Sequence, residues 1–312
     1  MPEEAIQHPT KTNTKLLEFL IKRFSKLRDT ILDPMAGTGS TGVVAALHGR
    51  NAINIELEKK FYDWMEKAKE NVEKYPSLIQ KGRIRNILGD ARHLSELLVQ
   101  QVDVIITSPP YAEVTAFHDP DFMKATAKEQ SEKVRRGEIK GHYMTPEARR
   151  RVFNKIKKGR IEDERNIGNL PYGKIDIIKN GKDLHDEFPS HGMDIASNKP
   201  SINKDVMTEK ETYLSAMLRV YSEMRKVLKP DGLAIIIVRP FIRNKEVIDL
   251  PYQTWLLLTE AGFELVDLYK LRLKRLSFWR ILYEKKHPEM PKLRHEYILV
   301  CSNHQENKEV SR

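Results

Sequence analysis

The residues best suited to chemistry stand in one short string, Thr107-Ser108-Pro109-Pro110-Tyr111. Two adjacent prolines fix φ and donate no hydrogen bond, so they hold carbonyl oxygens in a rigid, outward arrangement. A small hydroxyl side chain precedes them and an aromatic ring follows. Such a clamp accepts hydrogen bonds from a planar amine while stacking on the ring that bears it. The string directly follows the apolar run Val102 to Thr107, which reads as a strand.

Three acids take corresponding places. Asp33 ends Thr30-Ile31-Leu32-Asp33, Glu56 ends Ala52-Ile53-Asn54-Ile55-Glu56, and Asp90 follows Arg83 to Leu88. Asp33 opens the run Pro34-Met35-Ala36-Gly37-Thr38-Gly39-Ser40-Thr41, in which glycines between a strand and a helix let a ligand approach the backbone. The run lacks the Gly-Lys-Ser/Thr ending of a phosphate loop and the third glycine of a dinucleotide fingerprint. A carboxylate ahead of it suits an amine-bearing ligand better than a pyrophosphate. Glu56 can accept both hydroxyls of a ribose, and Asp90 can accept a hydrogen bond from an adenine amino group. Each acid alone reads as a solvated loop residue. Three of them at consecutive strand ends form a pattern that a purely structural role does not explain.

Positioning these residues takes alternating strands and helices. Leu16, Leu17, Leu20, Ile21 and Phe24 make one face of a helix within Asn13 to Leu27, and a helix follows the glycine loop through Ala45, Ala46 and Leu47. A third covers Lys59 to Val72. After a break, a helix runs from Tyr213 to Leu228, and Lys229-Pro230-Asp231-Gly232 reads as a turn. Strands are expected at Leu233 to Val238, Phe263 to Leu268 and Glu296 to Cys301, with a helix over Thr254 to Ala261. The expected fold is α/β, with a seven-stranded, mostly parallel sheet covered by helices on both faces. The strands' C-terminal ends then form the edge where such sheets bind ligands.

Between Tyr111 and residue 211 this alternation stops. Residues 112–210 read as an insertion of helices and loops, and within it Arg149, Arg150, Arg151, Lys155, Lys157, Lys158 and Arg160 fall in twelve residues with no acid among them. Residues 1–111 and 211–303 are expected to form the catalytic domain, and 304–312 a flexible tail.

The 312 residues carry 54 Lys and Arg against 44 Asp and Glu, a formal charge of +10, which favours an anionic partner such as nucleic acid. Cys301 is the single cysteine, which excludes an internal disulfide and a cysteine-built zinc cluster. That composition fits a reducing cytoplasm and also a thermophile. There is no run of eighteen apolar residues and no signal-peptide core in Met1 to Thr14, so a cytoplasmic protein is expected.

Ser108-Pro109-Pro110-Tyr111 and Asp33-Pro34-x-x-Gly37-x-Gly39 together resemble the amino-methyltransferases of DNA, which modify the exocyclic amine of cytosine or adenine. The resemblance implies a Rossmann-like class I methyltransferase fold and S-adenosylmethionine as cofactor. His8-Pro9-Thr10 is similar to the family's segment for the cofactor's methionine carboxylate, Asn54-Ile55-Glu56 to its ribose strand, and Gly89-Asp90-Ala91 to its adenine turn. Lys229 to Gly232 and His295 to Val300 are similar to its late structural segments. The implied cofactor residues are His8, Pro9, Thr10, Asp33, Pro34, Met35, Ala36, Gly37, Gly39, Ser40, Thr41, Glu56, Asp90 and Ala91. The resemblance covers about two-thirds of the chain and omits most of residues 112–210. The cofactor segments come first here, so the order is circularly permuted relative to the commonest one.

Target recognition is expected from 112–210, from 270–294, or from both. The second stretch holds nine Lys or Arg against two Glu, interleaved with Phe278, Trp279 and Tyr283. Lys274, Arg275, Trp279 and Arg280 suit phosphate contact and base stacking. The stretch also reads as an ordinary crossover between two strands. By the resemblance, Ser rather than Asp before the prolines points to N4 of cytosine, and no metal is needed. Structured RNA, ribosomal RNA in particular, and DNA both stay open as substrates, with RNA placed first. A protein-glutamine methyltransferase and a non-catalytic nucleic-acid-binding protein are the alternatives from other classes.

Overall fold

The computed structural model describes residues 12–77, 80–111, 128–129, 132–138, 163, 165–167, 170, 172, 211–243, 246–273, 281, 284–285 and 287–304. Helix α1 (Thr14–Phe24) starts at Asn13, whose side chain accepts the Lys15 N–H at 2.9 Å. Strand β1 (Thr30–Asp33), α2 (Ser40–Leu47), β2 (Asn51–Glu56), α3 (Lys59–Lys74), β3 (Ile84–Leu88), α4 (Leu94–Leu97) and β4 (Val102–Thr107) follow. After the insertion come α5 (Tyr213–Val227), β5 (Leu228–Val238), β6 (Phe241–Arg243), β7 (Glu246–Ile248), α6 (Leu250–Glu260), β8 (Glu264–Arg272) and β9 (His295–Ser302).

Seven strands form one sheet in the order β3-β2-β1-β4-β5-β9-β8. Strands β1 to β5 pair in parallel, and β9 runs antiparallel to both β5 and β8. This order, with one reversed strand, is the Rossmann-like class I methyltransferase topology expected from the sequence. The chain moves from β1 to β2 on one side and then to β4 on the other, so the crevice at a switch of direction lies above β1 and β4.

Strand alternation sorts the core into two layers. Ile31, Val104, Ile106, Ile235, Ile237, Ile298 and Val300 face Leu17, Leu20 and Ile21 of α1 and Val44 and Ala45 of α2. Their neighbours Leu32, Ile105, Ile236 and Leu299 face the other way, toward Leu94 of α4, Met217 and Met224 of α5, and Leu257 of α6. Both faces are therefore dry, as a parallel sheet requires.

Three features depart from the sequence pattern. Lys229 to Gly232, read as a turn, lie inside β5. Leu228 pairs with Val102 and Leu233 with Val104, so the residues between them bulge opposite Asp103. Pro230 has no N–H for the ladder, and a bulge removes the need for one. Asn303 Nδ2 fills the bulge, donating to the carbonyls of Leu228 at 2.9 Å and Lys229 at 3.1 Å. The second departure is the antiparallel β6–β7 hairpin, which the sequence reading leaves out. The third is that described residues between 163 and 172 return to the body, with Ile167 and Tyr172 buried in its core.

Candidate active site

The glycine loop turns at Gly37 (φ 54°) and Gly39 (φ 73°), both left-handed. At Gly39 a Cβ would also stand 2.9 Å from Met65 Cγ, so space and φ both call for glycine. Gly39 caps α2 without a side chain. The loop is fastened to β2 by Ala36 N–H to the Ile55 carbonyl at 3.0 Å and by Gly37 N–H to Glu56 Oε2 at 2.7 Å.

Glu56 is buried at the end of β2, and its other oxygen accepts the Glu58 N–H at 2.9 Å. Burial pushes its carboxyl up to about 7, against the pull of these two donors. Asp33 is buried too. It accepts the Thr41 hydroxyl at 2.6 Å and the Thr107 hydroxyl at 2.8 Å, so it ties β1 to α2 and to the strand that delivers Ser108. Burial raises it to about 6, although both hydroxyls favour its charged form. Asp90 differs. Burial opposes its charge, but the Arg92 side chain grips it (Nε to Oδ1 3.0 Å, Nη2 to Oδ2 2.6 Å) and holds the carboxyl below its ordinary value.

These elements meet at an open cleft at the C-terminal edge of the sheet. Of the residues picked out in the sequence, Pro34, Met35, Gly37, Glu56, Asp90, Ala91, Ser108 and Pro110 line it together. Asp33, Ala36, Gly39, Ser40, Thr41 and Pro109 are not among its lining residues. Asp33 lies beneath the loop, and Pro109 is buried. Tyr111 is also outside the lining. The Arg239 guanidinium lies over its ring, 5.2 Å from the centroid, and Phe241 meets it edge-on at 6.1 Å. Burial pushes the Tyr111 hydroxyl up to about 12.

Gly89, named in the adenine turn, lines it as well, and sequence reasoning missed four lining residues: Leu57, Phe61, Asn166 and Ile167. Phe61 lies in the first turn of α3, just past the acid that ends β2, and that position was the one local signal. Nothing local marks Asn166 or Ile167. His8, Pro9, Thr10, Arg149, Arg150, Arg151, Lys155, Lys157, Lys158, Arg160, Lys274, Arg275, Trp279 and Arg280 lie outside the described residues. The stretch that holds the last four leaves β8 at Arg272 and enters β9 at His295, which pair with each other. That end of β8 is on the cleft's side of the sheet, because β8 runs in the direction of β5. No group of three or more His, Cys, Asp or Glu side chains able to hold a metal occurs among the described residues.

Residues 2–67, which include β1, the glycine loop and Glu56, match the family model described as DNA methylase (N6/N4). That likeness is confined to the N-terminal part of the chain. The chain is 42% identical over 73 residues to the type II methyltransferase M.HinfI of Haemophilus influenzae, which is 23% of this chain and 20% of that protein. It is 47% identical over 55 residues to the type II methyltransferase M2.DpnII of Streptococcus pneumoniae, 18% and 20% of the two chains. The match thus spans about a fifth of the length of these curated relatives. Among solved structures, TrmN from Thermus thermophilus superposes with a TM-score of 0.47 at 12% identity, over 96% of this chain and 51% of that one. S-adenosylmethionine is the cofactor that goes with the matched family. The cleft fits it: a glycine backbone without side chains, one acid at each of two strand ends, and apolar surface from Met35, Leu57, Phe61 and Ile167.

Proposed function

We propose that this chain is an S-adenosylmethionine-dependent methyltransferase acting on the exocyclic N4 amine of cytosine in nucleic acid. The observation that carries the reading is a single cleft into which Ser108 and Pro110 enter from one strand end while Glu56 and Asp90 stand at two others. The cofactor supplies an electrophilic methyl carbon when bound. All else falls to the chain. Glu56 accepts the ribose hydroxyls and Asp90 the adenine amino group, while Phe61 and Ile167 give the adenine apolar surface. Gly37 keeps the loop backbone close to the ligand.

On the target side, an aryl amine is a poor nucleophile because its lone pair is delocalised into the ring. Ser108 Oγ and the Pro109 carbonyl accept its N–H groups and draw the lone pair out of conjugation. The rest is positioning. Tyr111 offers its ring for stacking once the base has left its helix, which costs a few kcal/mol.

Structured RNA is the first substrate to test, because the basic stretches of the sequence suit recognition by shape. DNA is the second reading, favoured by the match of residues 2–67 to the DNA methylase model and by the likeness to type II methyltransferases over 73 residues. The deciding experiment offers S-adenosylmethionine with labelled methyl to genomic DNA, to total RNA with ribosomes, and to protein. Digestion of the product to nucleosides follows. Label in N4-methylated cytidine supports the RNA reading, and label in the deoxynucleoside supports DNA. Label in protein alone rejects the proposal.

A further inference from the structure

The insertion expected to recognise the target also supplies part of the cofactor cleft. Asn166 and Ile167 line that cleft opposite residues delivered by β1 to β4. Two buried charged groups fix them there. Glu58, 4% exposed at the start of α3, accepts the Asp163 N–H at 2.9 Å and the Asn166 side-chain amide at 3.4 Å through Oε1. Arg92, 9% exposed, holds Asp90 with one side of its fork and donates to the Arg165 carbonyl at 3.0 Å. Its remaining nitrogen pairs with Glu211, where the chain leaves the insertion for α5. One guanidinium thus joins the cleft's adenine-side acid, the returning segment and the far end of the insertion. The planar, multi-donor shape of arginine allows this, and lysine could not serve all three acceptors in the same way.

Resting on the methyl-donor reading above, we propose that Asn166 and Ile167 are donor-binding residues, and that Glu211, acting through Arg92, is a positioning residue that holds them against the donor. Donor affinity then depends on how the insertion is tethered. By the reciprocity of linked equilibria, a bound donor steadies the tether in return. Donor binding before target binding is the order this favours.

The test titrates the full chain with S-adenosylhomocysteine by calorimetry. Ile167→Ala removes apolar surface from the wall and should weaken binding about tenfold. Glu211→Ala, which changes no residue of the cleft lining, should weaken it about threefold to tenfold with little change in melting temperature, and Glu211→Gln should recover part of the loss. Lys229→Ala is the control. It breaks a 2.5 Å pair with Asp103 at the opposite edge of the sheet and should leave affinity unchanged. If wild type binds and both Ile167→Ala and Glu211→Ala bind equally well, this inference is overturned while the donor reading stands. If wild type does not bind S-adenosylhomocysteine, both fall.

Discussion

At the residue scale, the proposed reaction asks one hydroxyl of Ser108. Ser108→Ala should lower methyl transfer by about a hundredfold or more. It should leave S-adenosylhomocysteine affinity within a factor of about two, since Ser108 serves the target amine rather than the donor. Rapid-quench transfer and calorimetry on the same preparation read the two quantities. Glu56 gives a pH test. Its carboxyl is held up at about 7, and ribose hydroxyls donate to the charged form. Donor-product affinity should therefore rise by up to about tenfold from pH 6 to pH 8. Glu56→Gln should bind more weakly and show no such slope.

Asp33 gives a stability test of opposite sign. Its folded carboxyl sits at about 6, above the unfolded value of about 3.9. The folded state holds the proton more tightly, so the stability Asp33 contributes is complete below about pH 4 and is lost as pH rises through 6. Asp33→Asn stays neutral and escapes that loss. Between pH 4 and pH 7 its unfolding free energy should gain on wild type by about 2 kcal/mol, as read from paired urea titrations.

At the scale of elements, the glycine loop makes the firmest prediction. Gly39→Ala must hold φ near 73° and displace Met65 Cγ from 2.9 Å, so it should cost about 1–3 kcal/mol of stability. Thermal melts would show it, and serine at the same place should not rescue it. This loop was legible in the sequence because its cause is local: an apolar run, an acid, and glycines where backbone must come close. The strand-end acids were legible for the same reason. Phe61 was hidden because an aromatic at helical spacing looks like core, and it is indeed nearly fully buried. Asn166 and Ile167 were hidden because Glu58 and Arg92, which place them, lie roughly a hundred or more residues from Asn166 and seventy from Arg165 along the chain. The Tyr111 pose was beyond reach too, since Arg239 and Phe241 come from the end of β5 and the unforeseen hairpin.

At the scale of the molecule, a charge of +10 on 312 residues sets how a polyanion is held. Binding to an unmodified RNA or DNA should weaken linearly on a log–log plot against salt. Arg150→Glu combined with Lys157→Glu should flatten that slope by about 2 if both side chains meet phosphates. Donor-product affinity should hold. An unchanged slope would move recognition to residues 270–294. Filter binding at four salt concentrations is sufficient.

The return of Asp163, Arg165 to Ile167, and Tyr172 to the body divides the long excursion between β4 and α5 into two arcs, 112–162 and 173–210. Each arc is tied at both ends to the same rigid frame. Because the entropy of joining two fixed ends changes only with the logarithm of the number of residues between them, the count of residues from β4 to Asp163, or from Tyr172 to α5, can change at small entropic cost. The staple between them has no such freedom, for it is walled into the cleft. Variation in target choice among chains built this way should therefore accumulate in two independent blocks, with a short invariant knot between them that records the needs of the methyl donor and not those of the target.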